Sequence, residues 1–261
     1  MMKISTSQFL GGSLLVIILG FAFLQPYFYP MDMGFQDLTN TLSNPNEFAW
    51  FGTDHLGRDM LARLASAIRL SFGLSLFSVA CALIAGLITG IMAGFFGSWF
   101  DRILSFICDL VMALPGLLLI LLFAALSPGS FWTLYLGISL VMWIEFYRVI
   151  RSISSTMANS SEIQSSRLMG MGWIYSFKRH LLPRLLPMIA TLSAFSLGNA
   201  ILALATLGFV NVGLRPPTAE LGLMMTELFP YYYEAPMIFL QPVLTVFLMV
   251  LSLQLLSGRV K

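Results

Sequence analysis

The sequence predicts an all-α polytopic membrane protein with about six transmembrane helices. Three observations carry that prediction. Apolar residues make up 58% of the 261-residue chain and charged residues only 10%, against about 45–50% and about 25% in ordinary soluble domains. The mean hydropathy is +0.86. The apolar residues also fall in runs of about 20, the length a helix needs to cross a hydrocarbon layer about 30 Å thick. We read residues 1–261 as one transmembrane domain, with an outer segment at about 30–67 and a membrane core at about 68–258. A net charge of +2 is too small to suggest nucleic acid. Cys81 and Cys108 both sit in apolar runs and read as free small hydrophobes.

The helices follow in order. Span one covers about residues 9–28; it follows Lys3 and is too long for the apolar part of a signal peptide, so it reads as retained. Its end carries Pro26, Tyr27, Tyr29 and Pro30, which suit a membrane interface. Residues 31–59 are polar and acidic, with Asp32, Asp37, Glu47, Asp54 and Asp59. Residues 61–67 read as an amphipathic lead-in helix, and span two as residues 70–95, where Gly, Ala and Ser recur and permit close helix approach. A short turn at 97–102 leads to span three, about residues 103–126, with Asp109 and Pro115 inside it. After a tight turn at 127–130, span four covers about residues 131–150. Glu145 and Arg148 stand three apart near its end and can pair on one helix face. Span five is about 185–210, with Ser196, Asn199 and Thr206 as candidates to line a pathway. Residues 211–236 form a second outer segment, and span six covers about 237–256.

The longest polar interruption in the C-terminal two-thirds is residues 160–187, between spans four and five. It holds Arg167, Lys178, Arg179 and His180. Such a stretch cannot cross a bilayer, since each central charge costs roughly 2.5–3.5 kcal/mol. With both termini cytoplasmic, Lys3, Arg102, Arg148, Arg151, Arg167, Lys178, Arg179, Arg184, Arg259 and Lys261 lie inside. Only Arg58, Arg63, Arg69 and Arg215 of the 14 basic residues lie outside. That split obeys the positive-inside rule, and the reverse topology violates it.

No catalytic constellation is visible. The two histidines, His55 and His180, are far apart, which removes the His-rich metal motifs. The chain has neither a nucleophile elbow nor a phosphate-binding P-loop, so any ATP and Mg²⁺ would sit on partner subunits. We expect no enzyme activity, no metal site and no cofactor in this chain. In the 160–187 loop, residues 161–169 can form a short helix, Gly170–Gly172 can turn the chain, and residues 174–182 can form a second helix ending at Pro183. The loop is either a rigid knob for a partner's groove or a solvated connector, and the residues alone leave both open.

Three motifs carry a resemblance. Gln164, Ser165, Ser166, Arg167 and Gly170, followed by His180, Leu182 and Pro183, resemble the cytoplasmic coupling loop of ABC-importer permeases; Gln164 stands where that family usually has an acid. Gly52, Thr53, Asp54, Gly57, Arg58 and Asp59 resemble the G-T-D-x-x-G-R-D segment of its dipeptide, oligopeptide and nickel branch. Pro216, Pro217, Thr218, Glu220 and Gly222 are similar to the P-T-x-E-x-G outer segment of the same branch. The resemblance implies one transmembrane subunit of an ATP-driven importer in a bacterial cytoplasmic membrane. Its implied partners are a second permease, two ATPases docked on the 160–187 loop and an extracytoplasmic binding protein. The implied solutes are nickel, metal chelates or small peptides, with a lean toward chelates. The outer motif at 52–59 reads as structural, a charge-and-cap network starting a helix. The 216–222 segment, with Glu227, Glu234 and Tyr231–Tyr233 beyond it, reads as an outer gate or docking surface. The alternative is an ion-coupled transporter or channel, for which Asp109 and Glu145 are the candidate intramembrane acids.

Overall fold

The computed structural model describes residues 5–258 apart from Pro128; Lys3, Arg259 and Lys261, used in the charge count above, lie outside the described residues. Ten α-helices occur in the described chain: α1 (Thr6–Phe28), α2 (Met60–Phe96), α3 (Ser98–Met112), α4 (Gly116–Leu126), α5 (Phe131–Ala158), α6 (Ser161–Leu168), α7 (Trp173–Ser176), α8 (Leu182–Phe209), α9 (Leu221–Leu228) and α10 (Pro236–Leu256). Helices α1, α2, α5, α8 and α10 are each long and apolar enough to cross a bilayer.

The centre of the bundle is the seam between α2 and α5. Gly86, Gly90 and Gly94 stand one turn apart on α2, and a Cβ at Gly86 would sit 2.5 Å from the Phe146 Cβ. A Cβ at Gly94 would meet the Ser154 Cβ at the same distance. Missing side chains here let the two backbones touch, the close packing available to helices that cannot gain hydrophobic energy from lipid. The numbers rise together, with Gly86 against Phe146 and Gly94 against Ser154, so α2 and α5 run parallel. Parallel neighbours require a return crossing between them. That crossing is α3 plus α4. Asp101 binds Arg151, Ser105 meets Tyr147, and Gly137 packs on Ile120, so the pair follows α5 in the opposite direction along most of its length. The remaining pairings alternate: Arg184 reaches Glu162 and Met157, Gly198 faces Leu253, and Gln8 bonds the Gly258 carbonyl at 2.9 Å.

The structure departs from the sequence expectations in six places. The lead-in helix and span two are a single helix, α2, because nothing between Met60 and Leu70 breaks the periodicity. The turn expected at 97–102 is confined to Gly97, and α3 starts at once. Span three is broken, with α3 and α4 bent by 81°. Pro115 explains the break: it has no N–H to give and it disfavours helical geometry at Leu114. The second helix of the polar loop does not end at Pro183. A π-turn over Phe177–Leu181 runs straight into α8; the wider turn ahead of Pro183 relieves the clash its ring would make with the preceding carbonyl. Finally, Glu145 and Arg148 do not pair. Arg148 reaches across to Asp109 at 2.8 Å, and Glu145 meets the Ser196 hydroxyl at 3.4 Å. Cross-helix partners win because the bundle brings them closer than a neighbour on the same helix. The sequence placed Glu145 near the end of a span; α5 continues to Ala158, so Glu145 lies midway along it.

Candidate functional site

At one end of the bundle the segments at 31–59 and 211–236 are joined by a buried ionic cluster. Asp54 and Arg63 are within 2% of complete burial, as is Arg58. Asp54 Oδ2 accepts from Arg58 Nε at 2.6 Å and from the Arg63 guanidinium, while its Oδ1 accepts the backbone N–H of Leu56 and Arg58. Glu227, on α9, accepts from Arg58 at 3.0 Å and from Arg63 at 2.6 Å. Burial opposes ionisation of Asp54, but Arg63, Arg58 and the two N–H groups outweigh it and hold the carboxyl below its ordinary range. Glu227 was invisible as a partner in the sequence, since some 170 residues separate it from Arg58.

The rest of the motif is scaffolding for this cluster. Asp59 caps α2 by accepting the Ala62 N–H at 2.8 Å, and it accepts from the Tyr29 hydroxyl at 2.8 Å. Thr53 donates to the Asn40 carbonyl at 2.6 Å and bridges to Asp59. Gly57 has φ +70, and any Cβ there would overlap the Asp37 carbonyl, so only glycine fits. Gly52 is buried against the Ser43 carbonyl, where a Cβ would overlap it. His55 stacks on Tyr231 with ring centroids 5.4 Å apart. Burial pushes the His55 pKa down, with Arg58 and Arg63 adding to that effect against Asp54 and Glu227.

The 216–222 segment divides in two. Pro216 and Pro217, joined by a cis peptide, are exposed, and Thr218 is half-buried. Glu220 is 1% exposed and caps α9, accepting from Gly222 N at 3.0 Å and Leu223 N at 2.9 Å. Gly222 lies against the Ala205 backbone of α8, where a Cβ would overlap the carbonyl. Burial without a cation raises the Glu220 pKa to about 7, although the two N–H groups pull it the other way. The acidic docking surface expected from Glu220, Glu227 and Glu234 therefore does not form: the first is a buried cap, the second is held by two arginines, and only Glu234 is exposed.

At the opposite end, α6, a turn at Gly170, α7 and the π-turn make a compact projection. Ser160 caps α6, with the Ile163 N–H at 3.5 Å. Ile163, Leu181 and Leu185 are fully buried in one apolar cluster with Met157. Ser166 points inward, donating to the Glu162 carbonyl and meeting His180 Nε2 at 2.9 Å. Arg184 holds Glu162 at 2.7 Å. Gly170 takes φ +76, a backbone geometry that costs a residue with a Cβ roughly 1–2 kcal/mol. Gln164, Ser165, Arg167, Gly170 and Pro183 are exposed, while Ser166 and His180 brace the projection from within. Its tip is apolar and bare: Leu168 is 89% exposed, and Met169 and Ile174 are both 67% exposed.

The three pathway candidates on α8 have different surroundings within this chain. Ser196 is buried against Glu145, Asn199 is half-buried, and Thr206 lines an apolar groove of about 510 Å³ with Leu202, Phe209 and Phe247. Among the described residues no group of three His, Cys, Asp or Glu side chains is placed to hold a metal ion.

Comparison with known proteins gives consistent matches. A family model described as the binding-protein-dependent transport system inner membrane component matches residues 86–260. The chain is 30% identical over 253 residues to the glutathione transport system permease protein GsiD of Pectobacterium atrosepticum, covering 96% of this chain and 84% of that protein. It is 27% identical over 240 residues to the nickel transport system permease protein NikC of Escherichia coli K12, covering 92% and 87%.

Proposed function

The chain belongs to the binding-protein-dependent transport permeases, the multi-pass inner-membrane subunits of ABC importers of the peptide and nickel branch, and from that premise we propose that its α6–α7 projection docks a nucleotide-hydrolysing partner subunit. A second permease would complete the pathway, and an extracytoplasmic binding protein would deliver the solute to the opposite end. The solute class that best fits the relatives is a small peptide of the glutathione kind or a nickel chelate. ATP and Mg²⁺ would act on the partner subunits only.

The observation that carries this reading is the bare apolar tip of the projection. Leu168, Met169 and Ile174 stand exposed on a segment too polar to sit in lipid, and clustered exposed apolar side chains of this kind mark protein contacts. Gln164, Ser165 and Arg167 border that tip. Ser166, His180, Glu162 and Arg184 stiffen its base, so a push on the tip reaches α5 and α8 rather than bending the loop. The six hydrogen bonds accepted by the Asp54 and Asp59 carboxylates, and the Arg58 and Arg63 links to Glu227, would serve the other end by keeping the two outer segments together.

The test uses the full complex, reconstituted with its partner permease, ATPases and binding protein. Leu168→Asp and Gly170→Val are expected to lower recovery of the ATPases with the tagged chain and to abolish ATP-driven uptake of glutathione or of a nickel chelate. Wild-type recovery and uptake in both variants would remove the coupling role. A complex that takes up neither solute would remove the solute assignment alone.

A further inference from the structure

The α3–α4 break opens a cavity of about 640 Å³ walled by α3, α4, α5 and α8, within the size range of small-molecule sites. Its walls are mostly apolar, including Leu119, Val141, Ile144 and Leu192, and two charged side chains reach it, Glu145 and Arg148. Arg148 is already matched by Asp109 at 2.8 Å. Glu145 has no cationic partner among the described residues; its contact is the Ser196 hydroxyl, a long bond of 3.4 Å. Both Glu145 and Ser196 lie midway along their helices. Val111, Met112, Leu114, Pro115 and Gly116, the residues of the break, form one side of the cavity. The Asp109, Leu110 and Val111 carbonyls at the end of α3 are taken up by the Ala113 and Leu114 N–H groups, so the charge in the cavity comes from side chains; interrupted helices at mid-membrane are recurrent places for binding solutes and cations. A carboxylate halfway across a membrane is costly and is kept where it serves a pathway.

We propose that this cavity is a transit subsite for the cationic part of the solute, an ammonium group or a positively charged chelate, with Glu145 as the carboxylate that receives it. Ser196, fully buried behind the carboxylate, donates its hydroxyl to Glu145, and the apolar wall takes the uncharged remainder of the solute. The proposal deepens the transport reading and rests on it for the word transit. It makes Glu145 a specificity-determining residue that favours solutes carrying an ammonium or other cationic group over those without one.

The experiment probes the cavity's charge without relying on transport. In the full complex, with Cys81 and Cys108 replaced by alanine, Leu192→Cys is reacted with a trimethylammonium thiosulfonate and with a sulfonate thiosulfonate. Rates are normalised to those of an exposed Phe48→Cys control. The cationic reagent is expected to react about tenfold faster than the anionic one, on the order of what one nearby charge gives in a partly wet cavity. Glu145→Gln should bring the ratio near one and Glu145→Asp should retain most of it. In uptake assays Glu145→Gln should lower kcat/KM for glutathione, which carries an ammonium group, about tenfold while the ATPases still co-purify. A rate ratio unchanged by Glu145→Gln, or a Leu192→Cys that neither reagent reaches, would overturn the proposal. Absence of ATP-driven uptake by the unsubstituted complex would sink the transport reading instead, and the labelling ratio would still decide whether the cavity attracts cations.

Discussion

Asp54 shows how a short motif acquires its meaning from distant partners. The residue spends both carboxylate oxygens on four donors, two of them arginine side chains that are themselves buried. Removing one member of such a cluster leaves uncompensated charge out of water, which costs about 3–5 kcal/mol. Asp54→Ala is therefore expected to collapse the thermal stability of the purified complex, whereas the exposed Asp32→Ala should leave it unchanged; a melting curve in detergent reads both. Glu220 makes a different prediction, because its carboxyl is buried with no cation beside it. Its pKa rises from the ordinary 4.5 to about 7 in the folded chain. The native state thus holds its proton over a range where the unfolded chain has lost it. Stability contributed by this group is present at low pH, falls as pH rises from 4.5 through 7, and is level above that, by roughly 3 kcal/mol in total. Hydrogen exchange at the α9 amides, corrected for intrinsic rates, should show weaker protection at pH 7.5 than at pH 5, and Glu220→Gln should flatten the difference.

Among the helices, the α2–α5 seam is the most extensive and depends on three glycines one turn apart. Gly86→Leu must separate the helices or displace the Phe146 backbone, since its Cβ alone falls 2.5 Å from the neighbouring Cβ. The expected result is loss of assembled complex from the membrane fraction, while Gly73→Leu, where a Cβ meets nothing within 4 Å, should assemble normally; blotting of membrane extracts separates the outcomes. The small-residue pattern on α2 was plain in the sequence, because glycine spacing is local. Which helix it faced was not, because α2 and α5 are parallel neighbours that only a broken return crossing can connect. Pro115 was equally plain, yet the same residue type is tolerated inside α8 at Pro187 and inside α10 at Pro242. Whether a proline ends a helix depends on what its neighbours can do with the freed backbone groups.

At the scale of the molecule, the fold sorts charge between two ends. Arg102, Arg151, Arg167, Lys178, Arg179 and Arg184 gather at the end that carries the projection, and Arg58, Arg63, Arg69 and Arg215 gather at the other with most of the acids. That split is the one the positive-inside rule expects of a projection that faces the cytoplasm. A cysteine at Leu168 should react with an impermeant thiol reagent only in inside-out vesicles, and a cysteine at Phe48, 81% exposed in the first outer segment, only in intact cells from which the outer membrane has been stripped. The opposite labelling pattern would invert the topology and detach the projection from any cytoplasmic ATPase.

Membrane class, the long apolar helices, the polar projection and the motifs at 52–59 and 216–222 were all written along the chain, since hydropathy, glycine spacing and turn chemistry act over a few residues. The partners were not. Glu227 with Arg58, Asp109 with Arg148 and Ser196 with Glu145 join residues separated by one or more crossings, and a charge's neighbours in a bundle follow from which helices pack together. That packing turned a suspected acidic docking face into a buried cap and an ionic clasp. It also moved Glu145 from the edge of a span to the wall of a cavity.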